Sequence, residues 1–247
     1  MKISNIILAV LIGGLGLSMV VDIATSKKDG VAVEGVTLSG KRATRTYDAI
    51  ALKHLNIKGP IQVILSAGIP NLSIEADEGL LEELADKDVD PETLTIELPT
   101  NTNGVGEIIV SLSTPTLETI SMRGSGSITS PEPLPYASNT ITLAGNPFVD
   151  LNYSNSTLLK YSGSGGTNAK FRGRVKRFEA NMSGGNEIKA GELIAQVVDI
   201  SGSGSTEAIV HADSLLSFSA SGSSSLKYTG NPKVNFSSAG SGKLESI

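Results

Sequence analysis

The sequence predicts an all-β protein: a parallel β-solenoid, also called a β-helix, with rungs of about 20 residues and one short helix in the N-terminal half. Three observations carry this prediction. A glycine–serine signature recurs seven times in the second half of the chain, apolar residues alternate with polar ones between its copies, and the composition is rich in glycine but poor in aromatic residues. Self-similarity at a near-constant period marks an architecture of stacked supersecondary units.

The glycine–serine signature sets the length of one rung. Clear copies are Arg-Gly-Ser-Gly-Ser at 123–127 and Ser-Gly-Ser-Gly-Ser at 201–205, and a weaker copy, Ala-Gly-Asn-Pro, lies at 144–147. The first glycines of successive copies are 21, 18, 21, 18, 20 and 18 residues apart. Glycine suits the corner of a coil because it adopts positive φ and allows close backbone approach. We therefore predict corners at Gly124, Gly145, Gly163, Gly184, Gly202, Gly222 and Gly240.

Apolar residues occupy alternate positions just before these glycines, as in Ile120 and Met122 or Leu216 and Phe218. Alternation places one set of side chains inside the coil and the other outside. In parallel, in-register rungs the inner set stacks into a continuous apolar column. A flexible glycine–serine linker would not keep this alternation. Pro131, Pro133 and Pro135 share one connection, for which we predict a protruding loop that separates the two halves.

The first half of the solenoid is β-rich but less regular. Alternating apolar residues predict strands over 49–57, 61–65 and 72–76, and two more over 93–98 and 107–112, which we expect to pair as a hairpin. Leu80, Leu81 and Leu84 fall at helical spacing within 77–85, and Asp77 is suited to cap that helix.

The chain begins with a segment typical of export. Lys2 precedes an apolar run over 6–21, which is short for a spanning helix but suits a secretory signal. We predict a signal peptide or N-terminal membrane anchor over 1–24, a linker and lead-in strand over 25–44, and a solenoid domain over 45–247. That domain divides into an irregular half, 45–116, and a regular half, 117–247.

Composition excludes several classes of function. The formal charge of -5 gives no global basic field to attract nucleic acid, and the few aromatic residues offer little stacking surface for single strands. The absence of cysteine excludes disulfides, thiolate metal sites, a cysteine nucleophile and lipidation at cysteine.

A basic stripe is the sharpest surface feature: Lys170, Arg172, Arg174, Lys176 and Arg177. Alternation places the first four on one face, with Phe171 and Val175 on the other. One rung below, 152–159 carries no charge, and one rung above, 191–198 carries only Glu192. Such a stripe could bind an anionic glycan or an acidic partner. It could equally be a solvated strand face that discourages aggregation.

Candidate catalytic and metal-binding residues do not converge. Residues 86–90 resemble the start of a calcium loop with Glu97 at its twelfth place, but Pro91 stands where such a loop needs glycine. His54 and His211 are far apart in the chain, and no Gly-x-Ser-x-Gly elbow is present. Asp150, Asp199 and Asp213 lie 5, 15 and 11 residues after their own rung glycines, so they form no acid pair in one groove. We predict no enzyme activity, cofactor or metal.

Several stretches resemble a known family. Tyr47-Asp48-Ala49-Ile50, Ile61-Gln62-Val63-Ile64 and Leu72-Ser73-Ile74-Glu75-Ala76 look like the first half of the "putative auto-transporter adhesin, head GIN domain" family. The ordered Gly-Ser-Gly copies and the ending over 226–234 look like its second half. The resemblance covers 45–247 and implies a right-handed β-helix in an exported bacterial protein. The copies at Ala144 and Ser183 depart from the usual pattern, and the lipid-attachment cysteine common in relatives is missing.

These observations favour an exported, non-enzymatic β-solenoid with a structural or adhesive role at the bacterial cell envelope. Its partners would be an envelope glycan or another surface protein, and it would meet the membrane only through an uncleaved N-terminal segment. The protein would then lie in the periplasm, on the outer surface or in the medium. Two alternatives stay open: a carbohydrate-active enzyme built on a β-helix, and an envelope-anchored sensor or regulatory partner.

Overall fold

The computed structural model describes residues 38–47, 52–82, 92–97 and 106–247, together with the backbone of two N-terminal strands, Ile7–Ile12 (β1) and Leu17–Asp22 (β2). These residues form a β-solenoid of about 6 turns, which confirms the predicted all-β fold class. The one helix among them is Glu78–Glu82 (α1), inside the predicted helical segment. No helix in the described ranges is long and apolar enough to cross a membrane.

Strand order in the N-terminal half departs from chain order. The strands are β3 (Arg42–Tyr47), β4 (His54–Lys58), β5 (Ile61–Ser66), β6 (Asn71–Asp77), β7 (Thr93–Glu97) and β8 (Ile108–Ser113). β4 pairs in parallel with β7 on one side and with β9 (Thr119–Gly124) on the other. β5 likewise lies between β8 and β10 (Ser127–Thr129). The rung that comes first in the sequence is therefore enclosed between two later ones.

The predicted hairpin of 93–98 with 107–112 is wrong. β7 pairs with β4, and β8 pairs with β5 and, antiparallel, with β6. Leu94, Ile96, Ile108 and Val110 are buried as their alternation requires. Alternation fixes which face of a strand is buried but not which strand lies beside it. β7 and β8 instead stack in parallel on β4 and β5, so the two strands lie on different sides of the coil.

Antiparallel strands close the N-terminal end of the solenoid. β6 pairs with β8, and β3 pairs with β6. Asp77 caps α1 as predicted, since its carboxylate accepts hydrogen bonds from the backbone N–H of Gly79 at 2.9 Å and of Ser39 and Gly40 at 2.8 Å. Burial opposes ionisation of Asp77, but these hydrogen bonds prevail and lower its pKa.

The predicted signal or anchor segment and linker lie mostly outside the described residues. The backbone of β1 pairs antiparallel with β2, and also with β7 through Val10 and Leu11. Cleavage or anchoring of 1–24, and the division into domains at 24 and 44, stay predictions.

The C-terminal half is regular. Its further strands are β11 (Ser138–Gly145), β12 (Phe148–Gly165), β13 (Asn168–Gly184), β14 (Glu187–Gly204), β15 (Glu207–Gly222), β16 (Ser225–Thr229), β17 (Lys233–Gly240) and β18 (Lys243–Ser246). Each of β12 to β15 runs through most of one rung and pairs in parallel with the next. The inward residues form one continuous hydrophobic core with those of the N-terminal half.

The rung corners are glycines with positive φ that lie in register. They are Gly124, Gly145, Gly165, Gly184, Gly204, Gly222 and Gly240. Their steps are 21, 20, 19, 20, 18 and 18 residues, a more even series than the first glycines of the copies give. Five of the seven predicted corners are confirmed. The predictions for Gly163 and Gly202 are wrong, because the second glycine of each of those copies, Gly165 or Gly204, makes the turn.

Gly163 is needed for space rather than for its backbone conformation. It lies at an inward position between Leu143 and Met182 of the neighbouring rungs. A Cβ atom there would lie 2.5 Å from the Tyr161 hydroxyl and 2.6 Å from Thr167 Oγ1. A side chain at this position would displace the buried polar groups beside the corner.

Backbone hydrogen bonds continue through the corners. From Gly145 onwards, the residue after each corner glycine donates its N–H to the carbonyl of the corner glycine one rung below, as from Gly166 to Gly145 and from Gly185 to Gly165, both at 2.8 Å. The residue two places after the glycine is polar and buried in four successive rungs: Thr167, Asn186, Thr206 and Ser224. Thr167 bonds the side chain of Asn186, whose amide donates to Ser183 O at 2.7 Å.

Aromatic side chains fill the centre of the regular half. The Phe171 ring packs edge-on against Tyr161 and Phe178, each at a centroid distance of 5.6 Å. Burial raises the pKa of Tyr136, Tyr153 and Tyr161. The Tyr153 hydroxyl donates to Asn139 Oδ1 at 2.9 Å, whereas the Tyr136 hydroxyl has no hydrogen-bond partner among the described residues.

The proline-rich connection does not protrude, contrary to the prediction. Leu134 and Tyr136 are buried, and the three prolines between and beside them are exposed. The Leu134 N–H donates to Asn152 O at 2.8 Å, and Ser154 N–H donates to Leu134 O at 3.0 Å. Proline lacks an N–H, but here it alternates with residues that supply the ladder. The segment therefore forms one side of a rung.

Candidate anion-binding surface

The basic stripe lies on β13, but it bends around the solenoid. Phe171 and Val175 are buried as predicted. Between Arg172 and Arg174, Gly173 adopts φ +101°, and a Cβ atom there would lie 1.8 Å from Tyr153 O. The chain turns at this glycine, so Lys170 and Arg172 precede the turn while Arg174, Lys176 and Arg177 follow it. The face predicted for Lys170, Arg172, Arg174 and Lys176 is therefore divided by a turn at Gly173.

Two of the five cations are neutralised. Arg172 donates to Asp150 Oδ1 from Nη2 at 2.8 Å and from Nε at 3.1 Å. Arg177 pairs with Glu179 at 2.7 Å and with Asp199 at 2.5 Å. The stretch predicted to lie below the stripe, 152–159, assumes an offset of 18 residues and so leaves out Asp150. The register places Lys170 opposite Asp150, an offset of 20.

Ion pairs connect three successive rungs beside this stripe. Glu179 also pairs with Lys160 of the rung below, at 3.3 Å. Burial opposes ionisation of Glu179, but its bonds to Arg177 and Lys160 prevail and lower its pKa. Arg177 and Glu179 therefore take part in ion pairs that link neighbouring rungs.

Three cations of the stripe form no ion pair within the described part of the chain: Lys170, Arg174 and Lys176. We call these three the cationic surface. Arg174 and Lys176 are exposed, and Lys170 is half-buried. Lys170 also lies directly opposite Lys189 of the next rung, a residue outside the predicted stripe.

A second flank of the solenoid is uncharged and hydroxyl-rich. Outward positions in register carry Ser162, Asn181, Ser201, Ser219 and Ser237. The first four of them, together with a parallel column of serines, line a shallow depression of about 380 Å³. This flank offers hydrogen bonds but no charge, so the cationic surface is the better candidate for an anion.

The two histidines occupy equivalent kinds of cross-rung contact. His54 Nδ1 lies 2.8 Å from Thr119 Oγ1, and His211 Nδ1 lies 2.9 Å from Thr229 Oγ1. His211 Nε2 is also 3.0 Å from Asp213 Oδ1. The side-chain contacts run from Thr229 through His211 to Asp213, the order in which a catalytic triad links its nucleophile, base and acid. Because His54 makes the same threonine contact in β4, we interpret the pair as a cross-rung packing feature.

The other candidate residues stay apart. Asp150 and Asp199 bind Arg172 and Arg177, and Asp213 contacts His211, so these carboxylates do not form a catalytic pair with one another. The possible calcium loop over 86–90 lies outside the described residues, as does Pro91. The described ranges contain no group of three or more acidic or histidine side chains placed to hold a metal ion.

Solved structures share this fold. A putative adhesin from Bacteroides fragilis is 22% identical, with a TM-score of 0.75, over 86% of this chain and 100% of that one. A protein from Parabacteroides distasonis, described as a putative lipid binding protein, is also 22% identical, with a TM-score of 0.63, over 85% of this chain and 98% of that one. A putative adhesin from the same organism is 19% identical, with a TM-score of 0.64, over 86% and 99%.

Family membership follows from the sequence itself. No protein of curated function matches the chain. A family profile, in contrast, matches residues 51–232, which is most of the sequence and nearly the whole solenoid. The chain belongs to the family described as putative auto-transporter adhesin, head GIN domain.

Proposed function

We propose that this protein is an exported, non-enzymatic binding protein with a structural or adhesive role at the bacterial cell envelope. Membership of an adhesin-like family and the β-solenoid fold support a binding role. The apolar run over 6–21 supports export, to the periplasm, the outer surface or the medium. A solenoid suits extended ligands because its sides repeat the same backbone spacing of about 4.8 Å over many rungs.

The cationic surface is the observation that carries the proposal. Its three side chains have no carboxylate partner in the described ranges, although Arg172 and Arg177 beside them are fully paired. Ammonium and guanidinium groups bind sulfate, carboxylate and phosphate through charge-assisted hydrogen bonds. An envelope glycan that carries such groups is the partner we propose, in place of nucleic acid.

Salt-gradient elution from immobilised heparin tests this proposal. We expect the double variant Arg174→Ser and Lys176→Ser to elute at clearly lower salt than the wild type, because two ligand contacts are lost. The matched control replaces Lys233 and Lys243, which are exposed at the C-terminal end of the regular half, by serine and so removes the same charge. Equal elution of the two double variants would refute a specific role for the cationic surface.

The alternatives from the sequence can be tested separately. A carbohydrate-active enzyme would release products from a panel of polysaccharides, and the wild type is expected to release none. An anchored sensor would remain with the membrane on fractionation, whereas a mature protein free in the periplasm or medium excludes that version.

A further inference from the structure

We propose that a groove beside Lys170 binds an amphiphilic anion, meaning a phosphate, sulfonate or carboxylate head group that carries an apolar chain or ring. The groove has a volume of about 510 Å³ and runs across β12 to β15. Phe148 and Ile209 border its two ends, and Lys170 and Lys189 lie between them. The proposal goes beyond glycan binding: the groove contains Lys170 of the cationic surface but neither Arg174 nor Lys176.

The ends of the groove are apolar and unusually exposed. Phe148 is 39% exposed and Ile209 is 37% exposed, and both are among the few large apolar side chains that face solvent in the described ranges. Phe148 lies opposite Asn168 on β13, and Ile209 lies opposite Lys189 on β14. They are three rungs apart, which is about 14 Å along the solenoid at the usual strand spacing, and Ile209 lies two residues beyond the position in register with Phe148. Covering them with an apolar ligand is favourable because it removes their surface from water.

The centre of the groove is cationic. Lys170 and Lys189 are direct partners on neighbouring parallel strands, an arrangement of like charges that destabilises a sheet. Lys189 Nζ contacts Glu187 at 2.9 Å, but Asp150, the residue opposite Lys170 on its other side, is held by Arg172. Glu192 is the one carboxylate in the lining of the groove. An anionic head group between the two ammonium groups would relieve their repulsion.

A bulge with a glycine keeps the groove open. The β13–β14 register shifts between Lys170 and Arg172, and the β14–β15 register shifts between Ala190 and Ile194, so Gly191 lies outside both ladders. Bulges of this kind re-aim side chains and occur often beside binding sites. A Cβ atom on Gly191 would lie 3.3 Å from Ile209 Cγ2, and a larger side chain would fill the space between Ile209 and the lysines.

Fluorescence titration of the full-length protein with 1-anilinonaphthalene-8-sulfonate, an aromatic sulfonate, tests the proposal. We expect saturable binding that decyl phosphate displaces, whereas decanol and inorganic phosphate do not, because each supplies half of the recognised chemistry. Lys189→Ser removes one charge-assisted contact and is expected to weaken binding roughly tenfold. Gly191→Leu is expected to weaken binding at least as much by occupying the groove without changing its charge.

Two controls separate the groove from other surfaces. Phe236 is 44% exposed on β17, where it stacks on Phe218 and does not line the groove, and Phe236→Ser is expected to leave the affinity unchanged. The Arg174→Ser and Lys176→Ser variant, which tests glycan binding, is also expected to bind the probe normally. Unchanged affinity in both Lys189→Ser and Gly191→Leu, loss in Phe236→Ser, or displacement by decanol or by inorganic phosphate alone would overturn the proposal. Circular dichroism establishes that each variant keeps its β-sheet.

Discussion

Two adjacent glycines at one corner are expected to respond oppositely to alanine. Gly184 turns the chain with φ +101°, and a Cβ atom on it would lie 2.7 Å from Gly165 O of the rung below. Gly185 needs no positive φ, and the nearest atom to its Cβ would be the same Gly165 O at 3.9 Å. Gly184→Ala should therefore destabilise the protein strongly, and Gly185→Ala should not.

The magnitude for Gly184→Ala has two sources. Holding alanine at this φ costs about 1–3 kcal/mol. Relieving the contact with the Gly165 carbonyl requires the rungs to move apart locally, and overpacking of this kind costs about 1–3 kcal/mol more. We expect a loss of about 2–6 kcal/mol in the free energy of unfolding. Gly185→Ala should change it by less than about 1 kcal/mol, in the stabilising direction, since alanine has less conformational entropy to lose.

Urea unfolding followed by circular dichroism measures both variants against the wild type. With a shift in Tm of about 2–4 °C per kcal/mol for a chain of this size, Gly184→Ala should also melt at least about 4 °C lower. Similar unfolding midpoints for the two variants would show that neither positive φ nor the Gly165 contact governs this corner.

Two further predictions concern the core. Phe171→Ala removes a fully buried ring with two edge-on aromatic contacts, so urea unfolding should show a loss of about 3–5 kcal/mol in the free energy of unfolding. The control Phe236→Ala removes an exposed ring and should cost about 1 kcal/mol, and equal losses in the two variants would contradict the packing described. Alkaline pH should also unfold the protein. Above pH of about 10 the unfolded chain loses phenolic protons that folded Tyr136, Tyr153 and Tyr161 keep, because burial raises the pKa of each. The unfolded state then binds fewer protons, so the free energy of unfolding falls by about 4 kcal/mol per pH unit for the three together, at about 1.4 kcal/mol each. Tyrosinate absorbance from these residues should rise together with loss of the β-sheet signal, and a rise well before that loss would refute the reasoning.

Period and alternation were enough to predict the solenoid, its core and most corners. Ile120, Met122, Leu216 and Phe218 are buried where the pattern places them, because the side-chain period of a strand is a local property. The choice between Gly163 and Gly165 was not accessible, since both belong to one Ser-Gly-Ser-Gly copy. Only the rungs on either side reveal which glycine lies under a carbonyl and which faces the buried Tyr161 hydroxyl.

Relations between rungs were the least predictable. Neighbours of the basic stripe depend on offsets that vary from rung to rung, and an error of two residues hid Asp150 and Lys189. The turn at Gly173, the bulge at Gly191 and the pairing of β7 with β4 all depend on contacts between distant segments. Because the candidate site is built from such contacts, its residue types were visible in the sequence, but its geometry was not.

The enclosed rung of β4 and β5 has a consequence for when the protein can fold. β4 is synthesised before both of the strands that pair with it in parallel, β7 and β9, which lie 39 and 65 residues further along the chain. Each regular rung, in contrast, meets its predecessor after about 20 residues, and closing long loops first is slow because their entropy must be lost before contacts form. We expect a nascent chain to hold its first half open until β9 and β10 have emerged. After that point, each new rung can pair directly with the rung that was synthesised just before it.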